Sequence, residues 1–292
     1  MKKFILVILL FLTYEAIVAQ SSKKLLGSCN RDSLLQAPWK EWFVPNYTAY
    51  EVEPELITKL KKSLTKEYSF EIFFGTWCGD SKREVPRFFK ILDAVNFPEQ
   101  KIKLIGVDTG EAYKQGPKAE TQGKGIYRVA TFIVLKNNME IGRLIEHPVT
   151  TLEEDVFKII TNLAYQPNFK SYSLIEQWLQ KGLLTNANTS MRGLAKQLKP
   201  LLISHSELNS CAQVLAVQGK VKEAIFISRI NAYIFYDNAE TYAVLAKSLS
   251  KDGQHKEALE NIEYAIKINN ADEDLQYYLN SFYSIKKTAE DK

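Results

Sequence analysis

The sequence predicts an α/β domain with a central mixed sheet flanked by helices, followed by an all-α domain of helical repeats. Two observations predict this division. Up to residue 165, strand-like runs such as the aromatic-rich 68–74 alternate with helical patterns such as 80–96, which is typical of an α/β fold. After Pro167 the strand signals stop, and a helical pattern recurs at a spacing of 34 residues, which is typical of stacked helix pairs.

The first segment of the chain has the pattern of a secretory signal peptide. Lys2 and Lys3 precede nine apolar residues at 4–12, and an alanine-containing exit follows before position 20. The apolar run is too short to cross a bilayer comfortably, so an uncleaved anchor is the weaker interpretation. We expect residues 1–20 to be removed, leaving a bacterial periplasmic or secreted protein with no membrane span after cleavage.

Composition and charge exclude several classes of function. The chain has 292 residues, of which 46% are hydrophobic and 25% are charged, as in ordinary globular proteins. Its net charge of +4 is dispersed, which argues against a nucleic-acid partner. The histidines His147, His205 and His255 lie far apart, so no metal site is predicted, and no cofactor-binding glycine loop is present. Three cysteines are too few for a disulfide scaffold, and their odd number leaves at least one thiol unpaired or paired with another molecule.

The first folded domain is predicted at residues 49–165, after a leader at 21–48 whose aromatic side chains pack on it. Glu53-Pro54-Glu55 is a helix start, because proline and acidic residues favour the first turn. Asn137-Asn138 is typical of a hairpin turn between two strands. The predicted order is a helix from residue 54, a strand at 68–74, a helix at 80–96, strands at 103–108, 131–135 and 141–145, and a helix at 152–163.

The second half of the chain contains an internal repeat. Lys222-Glu223-Ala224 reappears as Lys256-Glu257-Ala258, and Gly219 reappears as Gly253, at one common spacing. Small and large side chains therefore recur at helix-packing positions, and a final helix is expected to cover the apolar end of the stack. The predicted divisions are a helical connector at 166–203, a repeat domain at 204–292 and a closing helix at 272–285.

Cys78 is the strongest candidate for a reactive side chain. It follows the aromatic-rich strand pattern at 68–74 and Trp77 and precedes a helical pattern, so it lies where a strand passes into a helix. Free N–H groups and the helix dipole at such a junction stabilise a thiolate, the reactive form, although Asp80 opposes this by like-charge repulsion. Ser81 lies one turn further on, where it could donate a hydrogen bond to the sulfur but cannot resolve a mixed disulfide.

The segments around Cys78 resemble a thioredoxin-like domain of the kind found in secreted bacterial thiol-disulfide proteins. The matching segments are Trp77-Cys78-Gly79, Pro86, Val107-Asp108 and Val129-Ala130-Thr131-Phe132. This resemblance implies catalytic roles for Cys78 and Ser81, and a contact surface for a partner at Trp77, Val129, Ala130 and Thr131. The later helices resemble tetratricopeptide repeats, which implies a further protein partner on the repeat domain.

Three positions depart from the thioredoxin pattern. Ser81 replaces the second cysteine of the redox pair. Ala130 stands where the family has a cis-proline, and we expect a trans peptide there because the cis form costs about 2.5–4 kcal/mol without proline. Ile72 stands where many thioredoxins have a buried acid. The strand that would hold a substrate backbone is therefore expected to be altered.

Two functions stay open from the sequence. The first is weak thiol–disulfide exchange, or thiol capture, of a cysteine-containing protein or peptide by Cys78, as a monothiol oxidoreductase or isomerase. The second is a non-catalytic adaptor that binds proteins through a degenerate thioredoxin fold and its repeats. Cys29 and Cys211 are expected to be a leader cysteine and a buried repeat cysteine that take no part in exchange.

Overall fold

The computed structural model describes residues Lys23–Asp291, and these form two compact units. The signal peptide expected at 1–20 lies outside the described residues. The sheet unit contains the described residues up to Thr109 together with Gly116–Glu120 and Val129–Asn168, and the helical unit contains Gly110–Gln115, Thr121–Arg128 and the chain from Phe169 onward.

The sheet unit is built on a five-stranded mixed sheet with the order β1-β3-β2-β4-β5. Strands β2 and β3 are parallel, and every other neighbouring pair is antiparallel. The central strand β2 is buried along almost its whole length because both of its faces are covered. The strands are β1 (Gly27–Cys29), β2 (Tyr68–Phe74), β3 (Ile102–Gly106), β4 (Thr131–Lys136) and β5 (Met139–Ile145).

Helices flank this sheet, and aromatic side chains fill the space between them. Phe88 on the helix after β2 packs against Phe70 and Phe132 of the sheet, with ring centroids 5.3 and 4.6 Å apart. This contact joins the helix that follows the candidate cysteine to the middle of the core. The helices of the unit are α1 (Arg31–Leu34), α2 (Lys40–Ala49), α3 (Pro54–Ser63), α4 (Gly79–Ala94) and α5 (Leu152–Ile160).

The segment predicted as a leader contributes directly to the sheet. Its strand β1 pairs antiparallel with β3, and Phe43 of α2 is buried against Phe89 of α4. The expected packing of leader aromatics on the domain is therefore confirmed, but the edge strand was not predicted. A strand of three residues is too short to show an alternating pattern in the sequence.

The hairpin between β4 and β5 has the predicted turn. Asn137 and Asn138 have φ angles of 51° and 64° and connect the two strands directly. Two consecutive left-handed residues match the right-handed twist of the strands, and asparagine tolerates that conformation.

The helical unit contains two helix pairs that repeat at the predicted spacing and are followed by one final helix. The bounds of α8 and α9 recur 34 residues later as those of α10 and α11. Gly219 and Gly253 both have φ of 82° between the helices of a pair, and Ala224 and Ala258 are fully buried. The helices are α6 (Ser171–Gln180), α7 (Met191–Leu198), α8 (His205–Val217), α9 (Val221–Ile234), α10 (Ala239–Lys251), α11 (His255–Ile268) and α12 (Asp272–Glu290). Across the described residues, no helix has both the length and the apolar character needed to cross a membrane.

Candidate thiol site

Cys78 occupies the N-cap position of α4, as the sequence predicts. Its extended backbone (φ −91°, ψ 129°) ends the turn that follows β2, and its N–H donates to the Gly75 carbonyl at 2.9 Å. A larger residue does not fit at position 75 unless the Trp77 ring moves, because a Cβ there would lie 2.5 Å from that ring. The Cys78 side chain makes no hydrogen bond to the first turn of α4. The first N–H groups of the helix are thus left without a side-chain cap.

The Cys78 thiol is partly exposed and donates to the Val129 carbonyl, with Sγ and O 3.0 Å apart. This bond requires the neutral thiol, because a thiolate has no proton to donate. The partly exposed sulfur therefore lies between the uncapped start of α4 and a backbone acceptor.

Trp77 is fixed beside the cysteine by its own hydrogen bond. The indole Nε1 donates to the Val107 carbonyl just after β3, at 3.0 Å. The ring stays partly exposed. Its fixed orientation is consistent with an apolar wall next to the sulfur, while its contact with a partner stays a prediction.

Ser81 makes a different contact from the one that its spacing suggests. The side chain is fully buried, and its hydroxyl accepts a hydrogen bond from the Gly75 N–H at 3.1 Å. Among the described residues, this backbone group and not the Cys78 sulfur is its partner. Ser81 thus ties the start of α4 to the turn that carries the cysteine.

The expected trans peptide before Ala130 is wrong, because the Val129–Ala130 bond is cis. Residue type sets only the intrinsic preference, and here the tertiary structure decides: Ala130 is fully buried, and its carbonyl accepts from the Glu146 N–H at 2.6 Å. The side chains of Val129 and Thr131 are buried as well. Any contact of these three residues with a partner would therefore involve backbone atoms.

The two other cysteines are placed in environments that suppress their reactivity. Cys29 lies in β1, with its sulfur 3.6 Å from the Leu104 carbonyl, and burial raises its pKa to about 12. Cys211 lies in α8 and is fully buried, which raises its pKa well above the ordinary value. All three cysteines are free thiols. Neither Cys29 nor Cys211 has the thiolate character that a resolving nucleophile needs.

A charged cluster at the start of α4 was missed in the sequence. Arg83 contacts Asp80 through one guanidinium nitrogen and Glu84 through another, both at 2.5 Å. The i, i+3 spacing of Asp80 and Arg83 could have suggested the first pair. The second could not be read from the sequence, because it depends on Glu84 being nearly fully buried in the fold.

Comparison with known proteins found no match: no protein-family model, no curated protein and no solved structure is significantly similar to the chain. Within Lys23–Asp291, no three histidine, cysteine or acidic side chains gather as a metal site requires.

Proposed function

We propose that this protein is a secreted thiol protein with one active-site-like cysteine, Cys78, through which it captures cysteine-containing proteins or peptides. The observation that carries the proposal is the contrast among its three thiols. Cys78 and Cys29 are both partly exposed, but only Cys78 stands at an uncapped helix start; Cys29 lies in strand β1, where burial raises its pKa to about 12, and Cys211 is fully buried. Only the thiolate attacks a disulfide, so exchange chemistry is assigned to Cys78.

The reaction is an exchange and needs no external oxidant. The Cys78 thiolate attacks one sulfur of a partner disulfide, a new S–S bond joins the two proteins, and the other partner sulfur leaves as a thiolate that takes up a proton. A second thiol then releases Cys78 by the reverse attack. Because Ser81 cannot supply that thiol, the protein holds its partner until a thiol from the partner or from solution arrives.

The two parts of the chain are proposed to be a thioredoxin-like domain and a tetratricopeptide-like repeat domain. The strand order, the Trp77-Cys78-Gly79 sequence and the position of Cys78 at the start of α4 support the first assignment. The recurrence of two helix pairs, with glycine and buried alanine at equivalent positions, supports the second. Under this proposal, Trp77 and the backbone of 129–131 contact the partner near the sulfur.

The alternative is a non-catalytic adaptor, and one observation favours it. Several tyrosines of the helical unit are well exposed, and aromatic residues are enriched at protein interfaces. They include Tyr233, Tyr236, Tyr264, Tyr277 and Tyr283. In this view a partner binds through the helical unit, and the thiol of Cys78 is a remnant without chemistry.

Trapping of a mixed disulfide separates the two functions. The mature protein is incubated with a disulfide-containing model protein, quenched with an alkylating reagent and analysed without reductant. We expect a covalent adduct with the wild type and with Cys29→Ser, but none with Cys78→Ser. Equal adduct formation by wild type and Cys78→Ser would remove the thiol proposal. The adaptor instead predicts that Cys78→Ser binds its partner as tightly as the wild type.

A further inference from the structure

Asp80, Arg83 and Glu84 form a connected charge cluster in the first turns of α4. One guanidinium nitrogen of Arg83 contacts Asp80 Oδ1, and Nε contacts Glu84 Oε1, each at 2.5 Å. Glu84 is 3% exposed in its side chain, whereas Asp80 and Arg83 are 31% and 41% exposed. Arg87 also approaches the same Glu84 oxygen, at 3.4 Å. The cluster thus has one buried member and two that face solvent.

The buried carboxylate explains why Arg83 stays in place. An exposed pair such as Asp80 and Arg83 gains little on its own, because ordering two long side chains in solvent offsets the attraction. Glu84 is fixed within the fold and binds a second nitrogen of the same planar guanidinium. Arginine can bridge two carboxylates in this way, and lysine cannot reproduce the geometry.

The position of the cluster relates it to the thiol. Asp80 lies two residues after Cys78, in the first turn of α4, where an uncompensated carboxylate repels a thiolate. The guanidinium held against Asp80 offsets that charge. We infer that Arg83 is a positioning residue: anchored by Glu84, it compensates Asp80 and so maintains the reactivity of the Cys78 thiolate. The inference rests on the proposed thiol chemistry but names the side chain that controls it.

The test measures alkylation of Cys78 by iodoacetamide at mildly acidic pH, with the modified cysteine located by peptide mass mapping. We expect Asp80→Asn to react about two- to threefold faster and Arg83→Gln about two- to threefold slower. Loss of a partly exposed charge close to a thiolate changes the thiolate population several-fold, and the opposite change in nucleophilicity removes part of the effect. The double variant should react within about 1.5-fold of the wild type, because both charges are gone.

A merely structural role would give a different pattern. Loss of local order would shift both single variants in the same direction, and the double variant would be the most affected. Arg83→Lys keeps the positive charge but lacks the planar guanidinium that bridges two carboxylates. Its alkylation rate should therefore lie between those of Arg83→Gln and the wild type. Added salt should reduce both single-variant differences, since both side chains face solvent. Shifts of the same sign, a double variant that does not return to the wild-type rate, or unchanged rates in the single variants overturn the inference.

The alkylation assay tests the role of Arg83 separately from the proposed function. It uses a small reagent and no partner, so opposite shifts that cancel support the role of Arg83 even if no mixed disulfide forms. Conversely, a mixed disulfide with wild type together with unchanged alkylation rates in both single variants overturns the role of Arg83 alone. Thermal unfolding of each variant confirms that the compared proteins are folded.

Discussion

Helices α4 and α5 of the sheet unit differ in how the backbone N–H groups of their first turns are capped. The start of α5 is closed by its own side chains: Thr151 Oγ1 accepts from the Glu154 N–H at 3.2 Å, and Asp155 accepts from the N–H groups of Val149 and Thr150 at 2.6 and 3.2 Å. These bonds satisfy backbone donors that would otherwise be unpaired at a helix start. The α5 start is therefore arranged for stability.

The start of α4 lacks such a side-chain cap. Cys78 occupies its N-cap position without a side-chain hydrogen bond to the first turn, and its thiol donates to the Val129 carbonyl instead. Cysteine is not among the residues that cap helices well. The two starts therefore differ: side chains cap the first turn of α5, whereas the residue at the N-cap of α4 presents a sulfur atom and leaves the first turn without a side-chain cap.

The largest effect is expected at the closed start. Asp155→Ala should lower the free energy of unfolding by about 2 kcal/mol at mildly acidic pH, because two backbone N–H groups lose their acceptor. Asp155→Asn, which keeps one acceptor oxygen, should lose less. Urea unfolding of the three proteins measures the difference, and an Asp155→Ala variant as stable as the wild type would contradict this account of α5.

The pH dependence of that effect has a definite sign. Burial raises the pKa of Asp155, so the folded protein favours the protonated acid more than the unfolded chain does. Its contribution to stability is fully present below the ordinary aspartate pKa of about 3.9 and declines as pH rises through the raised value. The difference between wild type and Asp155→Ala should therefore shrink toward neutral pH. A difference that grows with pH would show that burial is not the dominant influence.

Ser81→Ala tests how the open start is supported. The hydroxyl is fully buried and accepts from the Gly75 N–H, so its removal leaves a buried donor unpaired. We expect a loss of about 1–2 kcal/mol in the free energy of unfolding. Lys82→Ala, at the neighbouring partly exposed position, should change it by less than about 0.5 kcal/mol. Equal losses in the two variants would mean that Ser81 has no special part in holding the cysteine turn.

Thr151→Ala tests the cap of α5 in isolation. Loss of the bond to the Glu154 N–H should cost about 1 kcal/mol, the usual value for an N-cap residue. Thr151→Ser retains the oxygen and should stay close to the wild type in urea unfolding. A serine variant as unstable as the alanine variant would assign the effect to the lost methyl group.

Local signals explain which parts of the molecule could be predicted. The Asn137-Asn138 turn and the 34-residue recurrence depend on neighbouring residues or on a fixed period, and both can be read along the chain. The position of Cys78 follows in the same way, because an apolar strand pattern ends just before a helical one. Each of these features is specified by residues close to it in sequence.

The remaining features depend on contacts between residues far apart in sequence. Strand β1 exists because β3 offers it a partner, and its three residues have no pattern of their own. The peptide before Ala130 follows from the surroundings of a fully buried residue and not from alanine itself. Likewise, Glu84 anchors Arg83 only because the fold buries it. Sequence patterns predict the elements here, whereas the environment of the site comes from their packing.

The smallest expected effect runs in the opposite direction and bears most directly on the comparison. Serine is a favoured N-cap residue, and its oxygen can accept from the first-turn N–H groups that Cys78 leaves without a cap. Cys78→Ser should therefore raise the free energy of unfolding by about 0.5 kcal/mol while abolishing mixed-disulfide formation. Cys29→Ser, in strand β1, should give no such gain, because Asn30 and not residue 29 caps the helix that follows. Urea unfolding of both variants beside the wild type measures the contrast. A clear loss of stability in Cys78→Ser would mean that the sulfur is required for packing. A gain would mean that this helix start is less stable with cysteine than with serine at its N-cap. That result is expected if residue 78 is selected for its thiol chemistry and not for the stability of the fold.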